Sequence, residues 1–318
     1  MTCKIAIHAV SKTDGNQLSF SILSVINRIN TTNSMRIGLF LIYVLSFSPV
    51  FAQSAHDFDS SHVDKLADLS YKSGKLTAYE QERCKLDLYL PKDKANFPVM
   101  VWLHGGGITI NSKDTLESQV VGMRLASEGI GVAVINYRLS PQGQFPDYIE
   151  DVAAASSWVA QNIKKYQGNP EALYLGGHSA GGYLAAIAIL DTSYLAAYDM
   201  HPDQIQGVIA ISGQMDSHNT VKEERGQSAE EKLINPSAPL YHTATPAPPF
   251  LILYADDDIP GRGEINEEFA KAMRADGNTV TIKELKDKGH VTIVTEILEP
   301  EDATAREMVN FIRQSHHE

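Results

Sequence analysis

The sequence predicts an α/β protein with a mostly parallel central sheet of about eight strands, helices on both faces and no large cap domain. From about residue 66, short β-branched or aromatic runs alternate with longer helical patterns, and this alternation requires crossover connections between parallel strands. Of the 318 residues, 43% are hydrophobic and 21% charged, a composition typical of a protein with a large buried core. No insertion between the runs is long enough to form a separate helical cap.

The strands are predicted from apolar runs with polar or glycine-rich flanks. An early pair, near Leu69–Tyr71 and Lys85–Tyr89, is separated by a short turn region and is expected to be antiparallel. The remaining predicted strands are Val99–Leu103, Val132–Asn136, Leu173–Leu175, Val208–Ile211, Phe250–Tyr254 and Val280–Glu284.

Amphipathic helices are predicted between these runs. The segments Tyr148–Lys164 and Glu264–Ala275 both carry apolar residues at helical spacing, with Phe269 and Met273 facing inward in the second. The longest unpatterned segment, Ser217–Pro249, is charged and then proline-rich. We expect this segment to form one wall of a binding site.

A signal peptide is expected at residues 35–52. Met35 and Arg36 precede an apolar run that ends in Val50-Phe51-Ala52, with small residues at the two positions that cleavage requires. The run is shorter than the roughly 20 residues of a spanning helix, which argues against a stable membrane anchor. We therefore expect translation to start at Met35, with residues 1–34 an extension outside the protein. The mature chain would begin at Gln53, be exported to the periplasm or secreted, and form a single domain over residues 53–318.

The net charge argues against nucleic-acid binding, and the cysteine content argues against an internal disulfide. A formal charge of −12 without a basic cluster argues against a nucleic-acid surface, since phosphate binding requires an excess of Lys and Arg. If the leader is removed, Cys84 is the only cysteine left, so no internal disulfide can form.

The stretch Gly177-His178-Ser179-Ala180-Gly181 fits the pattern G-x-S-x-G between a predicted strand and a predicted helix. In such a turn the serine has a strained backbone, and the glycines on either side prevent collisions. The serine hydroxyl is then exposed at a helix N-terminus, where backbone donors favour negative charge. The alternative is a glycine-rich turn with a capping serine.

A second motif favours the catalytic interpretation. The predicted strand Val99–Leu103 runs into His104-Gly105-Gly106-Gly107, and glycines in such a loop allow backbone N–H groups to reach a ligand oxygen. This HGGG pattern is typical of an oxyanion hole upstream of a serine nucleophile.

A serine nucleophile needs a base and an acid, in the chain order Ser, acid, His. His290 is the histidine that follows a late strand, which makes it the candidate base. Three aspartates, Asp256, Asp257 and Asp258, follow the strand before it. Position along the chain alone does not choose among them, because an aspartate at a strand end is more often a capping or solvated group.

These motifs together resemble the α/β-hydrolase esterases, in particular the lidless group that includes bacterial feruloyl or xylan-acetyl esterase-like enzymes and arylformamidases. The resemblance covers nearly the whole chain from about Tyr71, and is carried by "HGGG", "NYRLSP", "FPDYIEDVAAASSWV", "GGHSAGG", "PPFLILYADDD" and "GHVTIV". The acid spacing in these relatives selects Asp258, with Asp257 as the fallback. Two positions depart from the usual pattern: Ile108 stands where Trp or Phe is common, and Ala255 where Gly is usual.

The resemblance implies acyl transfer by Ser179 as nucleophile, His290 as base and Asp258 as acid. The N–H groups of Gly105, Gly106 and Ala180 would hold the oxyanion, and His104 would brace the loop. No metal or organic cofactor is needed. The implied function is a serine carboxylesterase acting on short-acyl, aryl or polysaccharide-attached esters.

Two alternatives remain at this point. An arylformamidase would use the same residues for amide hydrolysis. An inactive hydrolase-fold binding module usually lacks the serine or the histidine, whereas this chain keeps both. The oligomeric state cannot be read from the sequence.

Overall fold

The computed structural model of the protein describes residues 58–315. Its strands are, in chain order, β1 Val63–Ser70, β2 Lys85–Pro91, β3 Phe97–Leu103, β4 Gly131–Ile135, β5 Gly168–His178, β6 Ile205–Ile211, β7 Phe250–Asp257 and β8 Val280–Gly289. They form one eight-stranded sheet in the order β1-β2-β4-β3-β5-β6-β7-β8.

Strand directions follow the expected pattern. Strand β2 is antiparallel to β1 and to β4, whereas every neighbouring pair in the series β4-β3-β5-β6-β7-β8 is parallel. The predicted mostly parallel sheet of about eight strands is therefore confirmed, as is the antiparallel early pair.

The α-helices of the described range connect these strands. They are α1 Ala78–Arg83, α2 Leu116–Ser127, α3 Asp147–Asn162, α4 Ala180–Leu190, α5 Ser193–Ala196, α6 Asn219–Glu224, α7 Arg262–Ala275, α8 Thr292–Thr295 and α9 Ala303–Ser315.

Helix α1 corrects the prediction of a short turn between β1 and β2. Thr77 accepts a hydrogen bond from the Glu80 N–H, and the Glu80 side chain accepts one from the Thr77 N–H. This reciprocal capping box satisfies two backbone donors at the start of the helix. The pattern Thr-x-x-Glu is present in the sequence, but no apolar stripe follows it.

The sheet has a hydrophobic core on each face. Along β3, Val99, Val101 and Leu103 belong to the core that contains α3 and α4, while Met100 and Trp102 belong to the core that contains α2 and α9. This alternation is the period of two that a pleated strand imposes on its side chains. Helices therefore cover both faces, as expected.

The long segment between β6 and β7 is only partly irregular. It contains the short helix α6 and a 3-10 turn, Pro239–His242, and no separate helical layer. The structure thus has the predicted architecture without a large cap, although Ser217–Pro249 is not the featureless loop that its sequence indicates.

The expectations for residues 1–34 and for the signal peptide at 35–52 lie outside the described residues. The described residues all belong to one compact unit, Val50–Glu318. Between residues 58 and 315, no helix combines the length and apolar character needed to cross a membrane.

Candidate active site

Ser179 lies in the tight turn between β5 and α4. Its backbone has φ 54° and ψ −115°, a strained conformation for a residue with a side chain. A Cβ on Gly181 would lie 2.0 Å from the Leu103 carbonyl oxygen, and one on Gly177 would lie 2.5 Å from the Gly181 carbonyl carbon. Only glycine fits at these two positions, because the turn brings β3, β5 and α4 into backbone contact.

The three residues predicted as a triad form one hydrogen-bonded chain. Nε2 of His290 accepts from Ser179 Oγ at 2.9 Å, and Nδ1 of His290 donates to Asp258 Oδ1 at 2.6 Å. The two hydrogen bonds fix the histidine tautomer, since one ring nitrogen faces an acceptor and the other a hydroxyl. The Asp258 side chain is 4% exposed and that of His290 is 18% exposed.

Asp258 is held by further donors. Its Oδ2 accepts from Ser212 Oγ at 2.5 Å and from the Ala255 N–H at 3.1 Å, and its Oδ1 accepts from the Ile259 N–H. Burial acts to raise the pKa of Asp258, but the hydrogen bonds from His290 and Ser212 outweigh burial and lower the pKa to about 2. The group is therefore a carboxylate throughout the neutral range.

The electrostatic surroundings also set the charge state of His290. Burial lowers the pKa of the imidazole, the hydrogen bond to Asp258 raises it, and nearby His178 lowers it, so that the net shift is downward from 6.5. The ring is therefore neutral at pH 7 and can take a proton, as a general base must.

The other two aspartates have different surroundings. Asp257 is exposed, and its backbone pairs with Gly289 in the sheet. The Asp256 carboxylate accepts from the N–H groups of Asp287 and Lys288 at 3.1 Å each. Asp256 is exposed, as expected for an aspartate at a strand end, and its carboxylate also holds the end of β8 just before His290.

The glycine turn opposite the serine departs from the sequence prediction at one position. The Gly105 N–H donates to Glu117 Oε1 at 3.1 Å, so it is not available to an oxyanion, and the prediction for Gly105 is wrong. Gly106 and Gly107 have φ values of +106° and +62°. Within residues 58–315, the N–H groups of Gly106, Gly107 and Ala180 have no acceptor.

Glu117 and His178 form a buried layer beneath the site that the sequence analysis missed. Nε2 of His178 donates to the His290 carbonyl oxygen at 2.7 Å, and Nδ1 of His178 lies 3.3 Å from Glu117 Oε1. Burial acts to raise the pKa of Glu117, but His178 and the Gly105 N–H outweigh burial and lower it. Glu117 is thus a carboxylate that contacts both the glycine turn and the histidine below the base.

His104 and the "NYRLSP" motif are structural supports. The His104 ring stacks on Tyr137, with centroids 4.3 Å apart, and burial lowers its pKa to about 4. The Tyr137 hydroxyl donates to the His104 carbonyl oxygen at 2.7 Å. Arg138 in the same motif forms two short hydrogen bonds with buried Asp151, at 2.8 and 2.9 Å. These contacts connect β3 and its glycine turn to α3.

Within the described residues, no group of three or more His, Cys, Asp or Glu side chains is arranged to hold a metal ion. The fold and the hydrogen-bonded Ser-His-Asp chain at the carboxyl edge of the sheet define an α/β-hydrolase of the esterase class. The chain belongs to the BD-FAE family, whose model matches residues 86–262, more than half of its length.

Individual relatives match either a short part of this chain or most of it at lower identity. An isoprenylcysteine alpha-carbonyl methylesterase of Arabidopsis thaliana is 40% identical over 113 residues, which are 35% of this chain and 26% of that enzyme. A kynurenine formamidase of Danio rerio is 26% identical over 277 residues, covering 82% of this chain and 92% of the relative. This chain spans less than two thirds of the length of the plant methylesterases that it matches.

Among solved structures, esterase B of Lactobacillus rhamnosis is similar in fold. Its TM-score is 0.71 at 18% identity, and the match covers 88% of this chain and 96% of that one.

Proposed function

We propose that the protein is a serine carboxylesterase that hydrolyses short-acyl or aryl esters through an acyl-enzyme. The observation that carries this proposal is the continuous hydrogen-bonded chain from Ser179 through His290 to Asp258, facing a glycine turn with free N–H groups. Nucleophile, base and orienting acid are all within hydrogen-bond distance, which is the geometry that covalent catalysis requires.

The reaction follows from this geometry. Ser179 Oγ attacks the ester carbonyl carbon while its proton passes to His290 Nε2, and Asp258 stabilises the resulting imidazolium. The N–H groups of Ala180, Gly106 and Gly107 hold the oxyanion, the last of them replacing Gly105 in the predicted set. The alkoxide leaves with the proton from His290. His290 then takes a proton from water as the water attacks the acyl carbon, and Ser179 Oγ leaves with that proton, which releases the acid.

The shape of the site favours small or polymer-attached esters. The segment between β6 and β7 adds only one short helix above the sheet, so nothing in the described chain encloses a long acyl tail. Together with the proposed export from a start at Met35, this feature supports the deacylation of plant polysaccharide or of scavenged esters.

A second candidate is amide hydrolysis by the same residues. It is favoured by the similarity to the kynurenine formamidase of Danio rerio, which extends over 82% of this chain. An arylformamidase would require no further catalytic group, since attack, oxyanion binding and protonation of the leaving nitrogen use the same atoms.

The decisive experiment combines labelling and turnover. A fluorophosphonate probe should label one residue, Ser179, and wild-type protein should hydrolyse p-nitrophenyl acetate. Ser179→Ala should lose both properties, whereas Ser193→Ala, which changes an exposed serine, should retain them. Loss of a triad member costs several orders of magnitude in kcat, so an active Ser179→Ala variant would refute the proposal. Comparison of acetyl, feruloyl and N-formylkynurenine substrates then separates the esterase from the formamidase.

A further inference from the structure

A cavity of about 290 Å³ lies beside the triad acid. One wall is formed by the loop that follows Asp258, from Ile259 to Arg262. The facing wall is formed by polar side chains of the segment after β6, among them Gln214, Asn219 and Lys222. This size is at the lower end of the range for small-molecule sites.

The Arg262 side chain, at the first position of α7, is the unusual member of this lining. It makes no hydrogen bond and no ion pair with any residue between 58 and 315, and its Nη1 is buried without a partner. Burial lowers the pKa of the guanidinium, while Asp258 and Asp216 raise it. An arginine remains protonated in such surroundings, so the cavity contains a partly buried cation whose Nη1 lacks a hydrogen-bond acceptor among the described residues, and a buried polar atom without a partner costs free energy.

The carboxylates near Arg262 already have partners. Asp258 is bonded to His290 and Ser212. Asp216 accepts from Gln214 Nε2 at 3.0 Å and lies 3.4 Å from Lys222 Nζ.

The Lys222 ammonium, by contrast, is satisfied. It donates to the carbonyl oxygens of Ala229 and Glu231 as well as facing Asp216. The carboxylates of Glu230 and Glu231 are at the exposed rim and do not bond to Arg262. Lys232, also in the lining, is paired with Glu268. Arg262 is therefore the cation of the lining whose side chain has no hydrogen-bond or ion-pair partner between residues 58 and 315.

The two walls of the cavity are fastened to the catalytic groups. Ser212, just before Gln214, donates to Asp258. Thr220, one residue after Asn219, donates to the Gly107 carbonyl oxygen. The cavity therefore borders the loop that follows the triad acid and the segment that contacts the glycine turn.

We propose that this cavity binds a free carboxylate of the substrate, with Arg262 as its partner. The inference rests on the proposed esterase function and narrows its substrate class to esters that also carry an acid group, on either a sugar or an aromatic unit. A guanidinium and a carboxylate have opposite charges and complementary hydrogen-bond geometry. The side-chain amides of Gln214 and Asn219 would add polar contacts.

Direct binding tests this proposal without relying on turnover. Calorimetry on the wild-type protein compares D-glucuronate with D-glucose and benzoate with benzamide, so that each acid has a neutral counterpart. At least one acid should bind on the order of tenfold more tightly than its counterpart, as expected for a charge-assisted pair. The glucuronate–glucose pair tests an acid carried on a sugar, and the benzoate–benzamide pair tests an acid carried on an aromatic ring.

Variants show whether Arg262 is responsible. Arg262→Leu should abolish the preference for the acid, and Arg262→Lys should retain part of it. Lys271→Leu removes the same charge from an exposed position of the same helix and should leave the preference unchanged. Arg262→Gln is the second neutral variant, for use if the leucine variant does not fold.

The proposal is overturned if neither acid is preferred, or if the preference survives in the neutral variants, as it would if the anion bound only at the oxyanion hole. It is also overturned if Arg262→Leu changes the pH profile of ester hydrolysis but not the binding of acids. Failure to hydrolyse p-nitrophenyl acetate would refute the esterase function instead, and the calorimetric result would still decide whether the cavity binds a carboxylate.

Discussion

Removal of the Glu117 carboxylate should impair catalysis although Glu117 does not contact the substrate side of the serine. Its Oε1 accepts the Gly105 N–H at 3.1 Å and lies 3.3 Å from His178 Nδ1. In Glu117→Ala both groups lose this partner in a buried environment, because Glu117 is only 8% exposed. A hydrogen bond to a charged group contributes about 1.5–3 kcal/mol.

This loss should appear in both stability and turnover. For a domain of this size, each 1 kcal/mol lowers Tm by roughly 2–4 °C, so a decrease of about 3–12 °C is expected. The freed Gly105 peptide would also allow the neighbouring Gly106 N–H to move. Since complete loss of one oxyanion donor costs about 10²–10³ in kcat, a displaced donor should cost about 10- to 100-fold, with KM little changed because the oxyanion forms only in the transition state.

Steady-state kinetics with p-nitrophenyl acetate and thermal unfolding measure the two effects. Glu117→Gln keeps an oxygen that can accept the Gly105 N–H, so it should recover much of the kcat lost in Glu117→Ala. Glu171→Ala, which removes an exposed carboxylate from β5, should match the wild type in both assays. A folded Glu117→Ala enzyme with kcat within twofold of the wild type would show that the glycine turn does not depend on this carboxylate.

Three further predictions concern the triad and the leader. Asp258→Asn should lower kcat by about 10⁴ with the fold intact, because the amide favours the wrong histidine tautomer. Asp257→Asn should change kcat little. If Asp257→Asn gives the larger loss of kcat, the triad acid is Asp257 and not Asp258. The acid limb of kcat/KM should have its midpoint below pH 6.5, because the His290 pKa is lowered and activity is lost as pH falls through that pKa; a midpoint above 6.5 in a pH–rate profile contradicts the electrostatic argument. Mass spectrometry of exported protein should find Gln53 at the mature N-terminus, and intact residues 1–52 would show that no such cleavage occurs.

Much of the architecture could be predicted because the hydrophobic period of each strand and helix is a local property of the sequence. Runs such as Val99–Leu103 have lengths and compositions that fit only a buried strand, and the glycines around Ser179 report backbone contacts that a side chain would prevent. These signals lie within a few residues of the feature that they predict.

The missed features depend on contacts between distant segments. Glu117 is in the first turn of α2, where an acidic residue is expected simply to favour the helix dipole, and nothing near it in the sequence indicates that it faces Gly105. His178 occupies the variable position of G-x-S-x-G, and its contact with the His290 carbonyl oxygen joins residues 112 positions apart. The unpaired state of Arg262 is likewise a property of its surroundings, which only the folded chain reveals.

The sheet order explains why one further serine takes part in the site. Strands β5, β6, β7 and β8 are consecutive and parallel, so their carboxyl ends lie side by side and deliver Ser179, Ser212, Asp258 and His290 in turn. Ser212 has φ 49°, and Ser179 has φ 54°, so two adjacent strand ends carry a serine in a conformation that costs about 1–3 kcal/mol. In both cases the strained backbone positions the serine hydroxyl for a hydrogen bond to a member of the triad: Ser212 bonds to Asp258, and Ser179 bonds to His290. Strand β6 lies between the strands of the nucleophile and the acid, and it therefore contributes the group that fixes the acid from the side opposite His290.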